Sequence, residues 1–291
     1  MAPRPRPTIR RRRVAREVRK LMDARGIKAA RLAELLECQL PKVYKVLGAK
    51  AGFHPSDLKI VLRELEVDDE SAAQLVQWNR EARVRGLVQE HAEAAPEYRR
   101  PYLGFEQDAN TLAVFENELV HGLLQTEDYA RTVTAAMAPG MADDEVHRRV
   151  RLRMARQQVL TGDEPLTYWA ILTEAVVRNA VGGPKVMADQ VFRLIEIAGL
   201  KNVTMQVLPF SAGAHAAMGS PFAILGFDEE DDLDLVYVED IATSHLLEKP
   251  EQLAAYTVAF NRLRAAALSP EGSIGLLQQA ANEWSAQETG G

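Results

Sequence analysis

A chain of 291 residues, 26% charged and 47% hydrophobic, has enough apolar material for about two domains of roughly 100–200 residues each. That composition excludes fibrous, collagen-like and disordered classes. The net charge of −6 argues, as a single number, against a nucleic-acid partner, yet it averages two unlike parts. Residues 1–50 carry 15 Lys and Arg against 4 acids, a balance of +11, so the remaining 241 residues sum to −17. A small basic module joined to a large acidic one is the first indication of function.

Cys38 is the only cysteine, which excludes an intramolecular disulfide and a four-cysteine zinc site. The opening MAPRPRPTIRRRR is charged like the start of a signal peptide, but no apolar stretch of about 7–15 residues follows it, and no apolar run nears about 18. A cytoplasmic protein without a membrane span is expected. Residues 1–13 read as a basic flexible arm, either a disordered tail or an extra set of phosphate and minor-groove contacts.

From Arg10 to Ala24, the residues Val14, Val18, Leu21 and Met22 recur at helical spacing, and Gly26 is placed to end the helix. Leu32, Ala33, Leu35 and Leu36 supply the buried face of a second helix over 28–36. After the corner Glu37-Cys38-Gln39-Leu40, residues 41–47 predict a third, with Pro41 in the first turn, where a missing N–H is harmless. Two more are expected over 54–65 and 72–87, the last behind the acidic start signal Asp68-Asp69-Glu70-Ser71. An all-α domain over 14–93 is followed by a linker at 94–102, where Pro96 and Pro101 interrupt any periodicity. The second domain spans 103–286, and its first part reads as helical. Thr126 caps a helix through Met137, with Glu127 and Asp128 in the first turn, and another runs from Asp143 to about Leu160. Four strands are expected: 166–172, 203–208, and a hairpin of 222–227 with 235–238 across the acidic turn 228–232. Helices over 184–198, 250–268 and 270–285, each opening on proline, complete it, and 287–291 is a tail. The fold class is therefore multidomain, an all-α bundle followed by an α+β domain with a small, about four-stranded sheet flanked by helices.

A helix-turn-helix needs a bracing helix, an apolar seam, and a second helix whose outward side chains reach base edges. Leu32, Ala33, Leu36, Val43 and Val46 suit the seam, and Gln39, Lys42, Tyr44 and Lys45 the outward face. On these residues the stretch Ala15–Val61 resembles the Xre-type helix-turn-helix family of DNA-binding regulators, and the resemblance makes residues 40–46 the recognition helix. Three places depart from the usual pattern. Lys28-Ala29 stand where the family has a Thr-Gln pair, Glu37 where it has a corner glycine, and Leu40 where it has an early Gln or Ser. Each lost amide removes a candidate base contact worth about 1–3 kcal/mol, so base readout is less secure than phosphate binding. The expected DNA-binding set is Gln39, Leu40, Lys42, Tyr44, Lys45 and Lys28, with Arg10, Arg11, Arg12 and Arg13 adding contacts. The alternative is that these charges merely solvate a small helical bundle.

Four further segments resemble one large actinobacterial family: ELVHGLLQTEDYAR at 118–131, VGGP at 181–184, NVTMQVLPFSAGAH at 202–215 and RLRAAALSP at 262–270. Its members couple an Xre-type helix-turn-helix to a C-terminal domain of unknown function and are described as antitoxin-like transcriptional regulators, WhiJ-like proteins among them. The resemblance covers nearly the whole chain. It implies double-stranded DNA as a partner, often together with a small protein encoded nearby, and it supplies no ligand.

Residues 209–219 are rich in Gly, Ala and Ser between two strands and read as a tight loop that a backbone or small ligand can approach closely. Gly122 suits a backbone angle that other residues resist. His215 either hydrogen-bonds to hold its loop or touches a ligand. The candidate ligand- or partner-binding set is His121, Gln125, Tyr129, Ser211 and His215. The 6 histidines show no paired ligand spacing, so neither metal nor cofactor is expected. Ser211 and His215 with Glu174, Glu239 or Asp240 can be drawn as a hydrolase constellation. There is, however, no G-x-S-x-G elbow, P-loop or G-x-G-x-x-G fingerprint, and no enzyme activity is expected. The sequence reads as a sequence-specific DNA-binding transcriptional regulator, a homodimer because two-fold operators answer two-fold proteins. Its acidic domain is expected to mediate self-association and to bind a small protein or effector. The alternative is an antitoxin-like adaptor with weak or no sequence-specific DNA binding.

Overall fold

Apolar spacing in the basic end becomes five helices in the computed structural model: α1 (Ile9–Arg25), α2 (Ala29–Leu35), α3 (Leu40–Leu47), α4 (Pro55–Glu64) and α5 (Asp69–Glu81). The structure describes residues 9–49, 51–81, 94–162, 165–227 and 234–289, without the side chains of Ile9, Arg10, Arg12, Arg80 and Glu81. The chain divides into two units, residues 1–86 and 87–291. Helix α1 begins at Ile9, inside the segment expected to be a flexible arm, so residues 10–13 are helical. The rest of that arm, and the expected continuation of α5 to residue 87, lie outside the described residues.

The first core joins Val14, Val18 and Met22 of α1 to Leu32, Val43 and Val46, backed by Leu58, Val61, Leu62 and Leu65. Helices α2 and α3 have 7 and 8 residues, too few to be stable alone, so this packing is what holds them. Three helices end alike. Gly26, Glu37 and Glu66 take φ of 65°, 46° and 46°, and the following N–H reaches back five residues: Ile27 to Met22 O at 2.9 Å, Cys38 to Ala33 O at 2.9 Å, Val67 to Leu62 O at 3.1 Å. Such left-handed caps suit glycine, so the two glutamates are strained there.

The second unit runs α6 (Arg100–Asp108), β1 (Thr111–Glu116), α7 (Glu127–Met137), α8 (Asp143–Arg156), β2 (Thr167–Thr173), α9 (Glu174–Arg178), α10 (Pro184–Ala198), β3 (Val203–Leu208), β4 (Phe222–Gly226), β5 (Leu235–Glu239), β6 (Ser244–Leu247), α11 (Pro250–Ala266) and α12 (Pro270–Thr289). Its sheet is ordered β3-β2-β1-β4-β5-β6. Strands β1, β2 and β3 are parallel, and β4, β5 and β6 continue from β1 as an antiparallel ladder. Six strands thus replace the expected four. The additions are the edge strand β6 and the interior strand β1, which lies in the stretch expected to be helical. The hairpin of β4 and β5 is present, and its acidic turn, 228–232, lies outside the described residues. Thr126 caps α7 as expected, its Oγ1 accepting from the Tyr129 N–H at 3.3 Å.

Strand alternation assigns the two faces of the sheet. Phe115 lies in register with Ile171 and Phe222, and these side chains form a core with Phe260 and Leu263 of α11. Leu112, Val114 and Glu116 point the other way, together with Tyr168, Ala170 and Tyr237. On that second face Tyr102 stacks on Tyr237 with ring centroids 4.1 Å apart.

Residues 94–102 are not a linker. A 3-10 turn, Glu97–Arg99, leads directly into α6, Tyr102 is buried, and the Ser244 hydroxyl donates to Tyr98 O at 2.7 Å. Pro101 sits in the first turn of α6, where helices accept proline. Residues 287–289 likewise belong to α12 rather than to a tail, and 290–291 lie outside the described residues. Among the described residues no helix is long and apolar enough to cross a membrane.

Candidate functional site

In the first unit, the outward face of α3 is set by its inward one. Val43, Val46 and Leu47 are buried, which leaves Lys42, Tyr44 and Lys45 exposed, Tyr44 by 59%. Gln39 occupies the N-cap position, and its exposed amide makes no hydrogen bond among the described residues. Leu40 is half-buried, so it belongs more to the seam than to the outward face, and Lys28 is exposed at the N-cap of α2. Lys42 Nζ lies 3.3 Å from Asp57 Oδ2. An exposed pair of this kind is worth about 0–1 kcal/mol, little enough for a phosphate to displace. Arg11 and Arg13 are half-buried on α1, and Arg13 lies over the Trp78 ring at 5.8 Å. The side chains of Arg10 and Arg12 lie outside the described residues.

The second unit contains a cleft of about 280 Å³ at the carboxyl ends of β1 and β5. Arg99, Glu116, Arg153, Arg156, Glu239 and Asp240 are its arginines and acids, and Leu119, Val133 and Met137 are among its apolar lining. Two of the arginines are paired. Arg99 meets Glu239 at 2.9 Å, and the same carboxylate oxygen accepts from the Tyr237 hydroxyl at 2.5 Å. Arg156 grips buried Glu106 through two bonds of 2.7 and 2.6 Å. Arg153 differs: its single hydrogen bond among the described residues goes to Gln125 Oε1 at 2.6 Å, and Gln125 is itself fixed by donating from Nε2 to Val120 O at 2.6 Å. Glu116 makes no hydrogen bond or ion pair among the described residues.

These surroundings set the charge states. Burial lifts the Glu116 carboxyl to about 8, against the pull of Arg99, so it is protonated at neutral pH. Burial, reinforced by Arg99 and Arg156, brings Arg153 down to about 9. A guanidinium keeps its proton regardless, so this lowering expresses an unmet demand for negative charge. His121 falls to about 3, chiefly through burial, and is neutral. Its Nδ1 accepts from the Leu123 N–H at 3.4 Å and lies 2.8 Å from the Tyr168 hydroxyl, which assigns the ring hydrogen to Nε2.

Of the ligand residues expected from sequence, His121 and Gln125 line the cleft. Tyr129 is fully buried and braces the cleft loop from behind, its hydroxyl accepting from the Val120 N–H at 3.1 Å. Ser211 and His215 are not brought to it. His215 Nδ1 accepts from the Ala217 N–H at 3.3 Å, and its ring lies edge-on to Phe115, on the face of the sheet opposite Glu116, so it holds its own loop. Ser211 is exposed.

Sequence reasoning missed Glu116 and Arg153, although each leaves a signal. Leu112, Val114 and Glu116 alternate along one strand face, and Val146, Val150 and Arg153 follow helical spacing. In both, a charge occupies the next place on a buried stripe. Among the described residues no three His, Cys, Asp or Glu side chains are grouped to hold a metal.

Residues 99–279 match the family described as Domain of unknown function (DUF5753), a span that holds the whole cleft. No curated protein and no solved structure matches the chain.

Proposed function

The chain belongs to the DUF5753 family through its second unit, and from its first unit we propose that it is a sequence-specific DNA-binding transcriptional regulator. One observation carries this reading. On a short helix whose other side is buried, Gln39, Tyr44 and Lys45 stand exposed, with the Gln39 amide unengaged among the described residues, in a segment whose charge is +11. In a helix-turn-helix, α2 braces α3, the outward residues of α3 enter the major groove, and neighbouring cations neutralise phosphates. The negative second unit repels DNA, which confines contact to the basic unit. Its proposed tasks are self-association, since one such helix reads only a few base pairs, and binding of a small protein or effector.

A second reading, an antitoxin-like adaptor with weak or no sequence-specific DNA binding, has its own support. Lys42 is engaged by Asp57, and Glu37 places an exposed acid at the α2–α3 corner. Genomic pull-down with the intact chain, followed by gel shift on enriched sites at stated salt, separates the two. Enrichment of a common sequence supports the regulator; a stoichiometric small protein co-purifying without DNA enrichment supports the adaptor.

A further inference from the structure

We propose that the cleft at the ends of β1 and β5 binds a small organic monoanion of the carboxylic acid class, with Arg153 receiving its carboxylate. The proposal deepens the effector part of the regulator reading and rests on that reading only for what the ligand does to DNA binding.

Charge inside the cleft selects the class. Arg99 is matched by Glu239 and Arg156 by Glu106, and of the three guanidiniums Arg153 alone has no carboxylate partner among the described residues. Its hydrogen bond to Gln125, whose own orientation Val120 O fixes, holds one edge of the guanidinium and leaves other N–H groups for a ligand. Guanidinium and carboxylate match two bonds to two oxygens, which adds strength and direction.

Glu116 lines the same space without pairing to Arg153. Protonated, it is a hydrogen-bond donor rather than a competing anion. The neutral His121 ring offers a second donor, because its Nε2–H has no partner among the described residues and the residue is only 8% exposed. Asp240 also lines the cleft, but it is exposed and its Oδ1 is taken up by the Ala242 and Thr243 N–H groups at 2.9 Å, with no ion pair to Arg153 among the described residues. The Arg153 guanidinium flanked by two neutral donors therefore fits a monoanion, whereas a dianion would set a second negative charge near Asp240 and Glu239, and a cation would meet Arg153 unmatched. Leu119, Val133 and Met137 provide an apolar wall for the body of the acid.

The test is calorimetric titration of the full chain, free of DNA, with hexanoate, benzoate, hexanamide, hexylammonium and inorganic phosphate as probes. A carboxylate is expected to bind at least about tenfold tighter than hexanamide and tighter than phosphate or hexylammonium. Arg153→Gln is expected to lose at least about tenfold. A readout on the unmodified chain guards against misfolding of the Arg153 variant. Carboxylate affinity falls as pH rises through about 8, where Glu116 ionises and competes for Arg153 in the field of Arg99, Glu239, Tyr129 and Tyr168, and this fall is absent in Glu116→Gln. Equal binding of hexanoate and hexanamide, preference for phosphate or hexylammonium, or no carboxylate binding at all overturns the proposal. Because no DNA is present, these outcomes stand whether or not the chain binds an operator.

Discussion

Arg156 and Glu106 form a two-bond ion pair inside the second unit, with Nε to Oε1 at 2.7 Å and Nη2 to Oε2 at 2.6 Å, and both side chains are almost wholly buried. Burial alone would raise the Glu106 carboxyl, but Arg156 outweighs it and holds the group below its ordinary value. Removing one partner strands a buried charge, so Glu106→Ala is expected to cost about 3–5 kcal/mol in urea unfolding. Glu106→Leu combined with Arg156→Met should cost less than either single change. A depressed carboxyl stabilises above its unfolded value, and that contribution is lost as pH falls through the folded one. If the double variant is as unstable as the sum of the singles, the pair is not coupled as its geometry requires.

Glu116 has the opposite sign. The unfolded chain releases this proton near 4.5 and the folded chain near 8, so the native state binds more protons between those values. Stability is therefore expected to decline as pH rises across that window and to level off above it. Glu116→Gln removes this part of the decline, and thermal unfolding followed across the window checks it. Parallel curves for the variant and the unmodified chain would show that Glu116 ionises normally.

Much of this was legible in the sequence, and the failures have physical causes. Gly26, Pro41 and Thr126 marked helix ends because each does locally what no longer-range contact can override. Pro96 and Pro101 misled as breakers, since Pro96 stands just before the 3-10 turn Glu97–Arg99 and Pro101 in the first turn of α6, where a proline lacks only a hydrogen bond that would go unmade. Strand β1 escaped because its apolar run, 112–115, is unbroken and four residues long, and the alternation of Leu112, Val114 and Glu116 is too short by itself to separate strand from helix. The cleft was half found. His121 and Gln125 lie in a recognisable turn, whereas Glu116 and Arg153 are brought together only by the pairing of distant elements.

Glu37 occupies a left-handed cap at φ 46°. Glu37→Gly relieves that strain and is expected to stabilise the first unit by about 1 kcal/mol, read from the urea midpoint at unchanged slope. Under the regulator reading it also strengthens DNA binding, by removing an exposed acid beside α3. A loss of stability would mean that the glutamate side chain does more at the corner than the backbone angle implies.

Gln39 has an exposed amide at the start of α3, unengaged among the described residues. Gln39→Ala is expected to relax base preference at one position of an enriched site by about 1–3 kcal/mol and leave the other positions unchanged. Competition with single-base variants of that site reads the effect. Uniform weakening would instead assign Gln39 to the phosphate backbone.

The central claim, that the basic unit holds DNA through the outward face of α3, is tested most directly by anisotropy titration of the full chain on an enriched duplex across a range of salt. Affinity should fall linearly on logarithmic axes, and Lys42→Ala with Lys45→Ala should weaken binding to all sequences and reduce the slope by about 2. An unchanged slope in the double variant, or binding indifferent to salt, would contradict it.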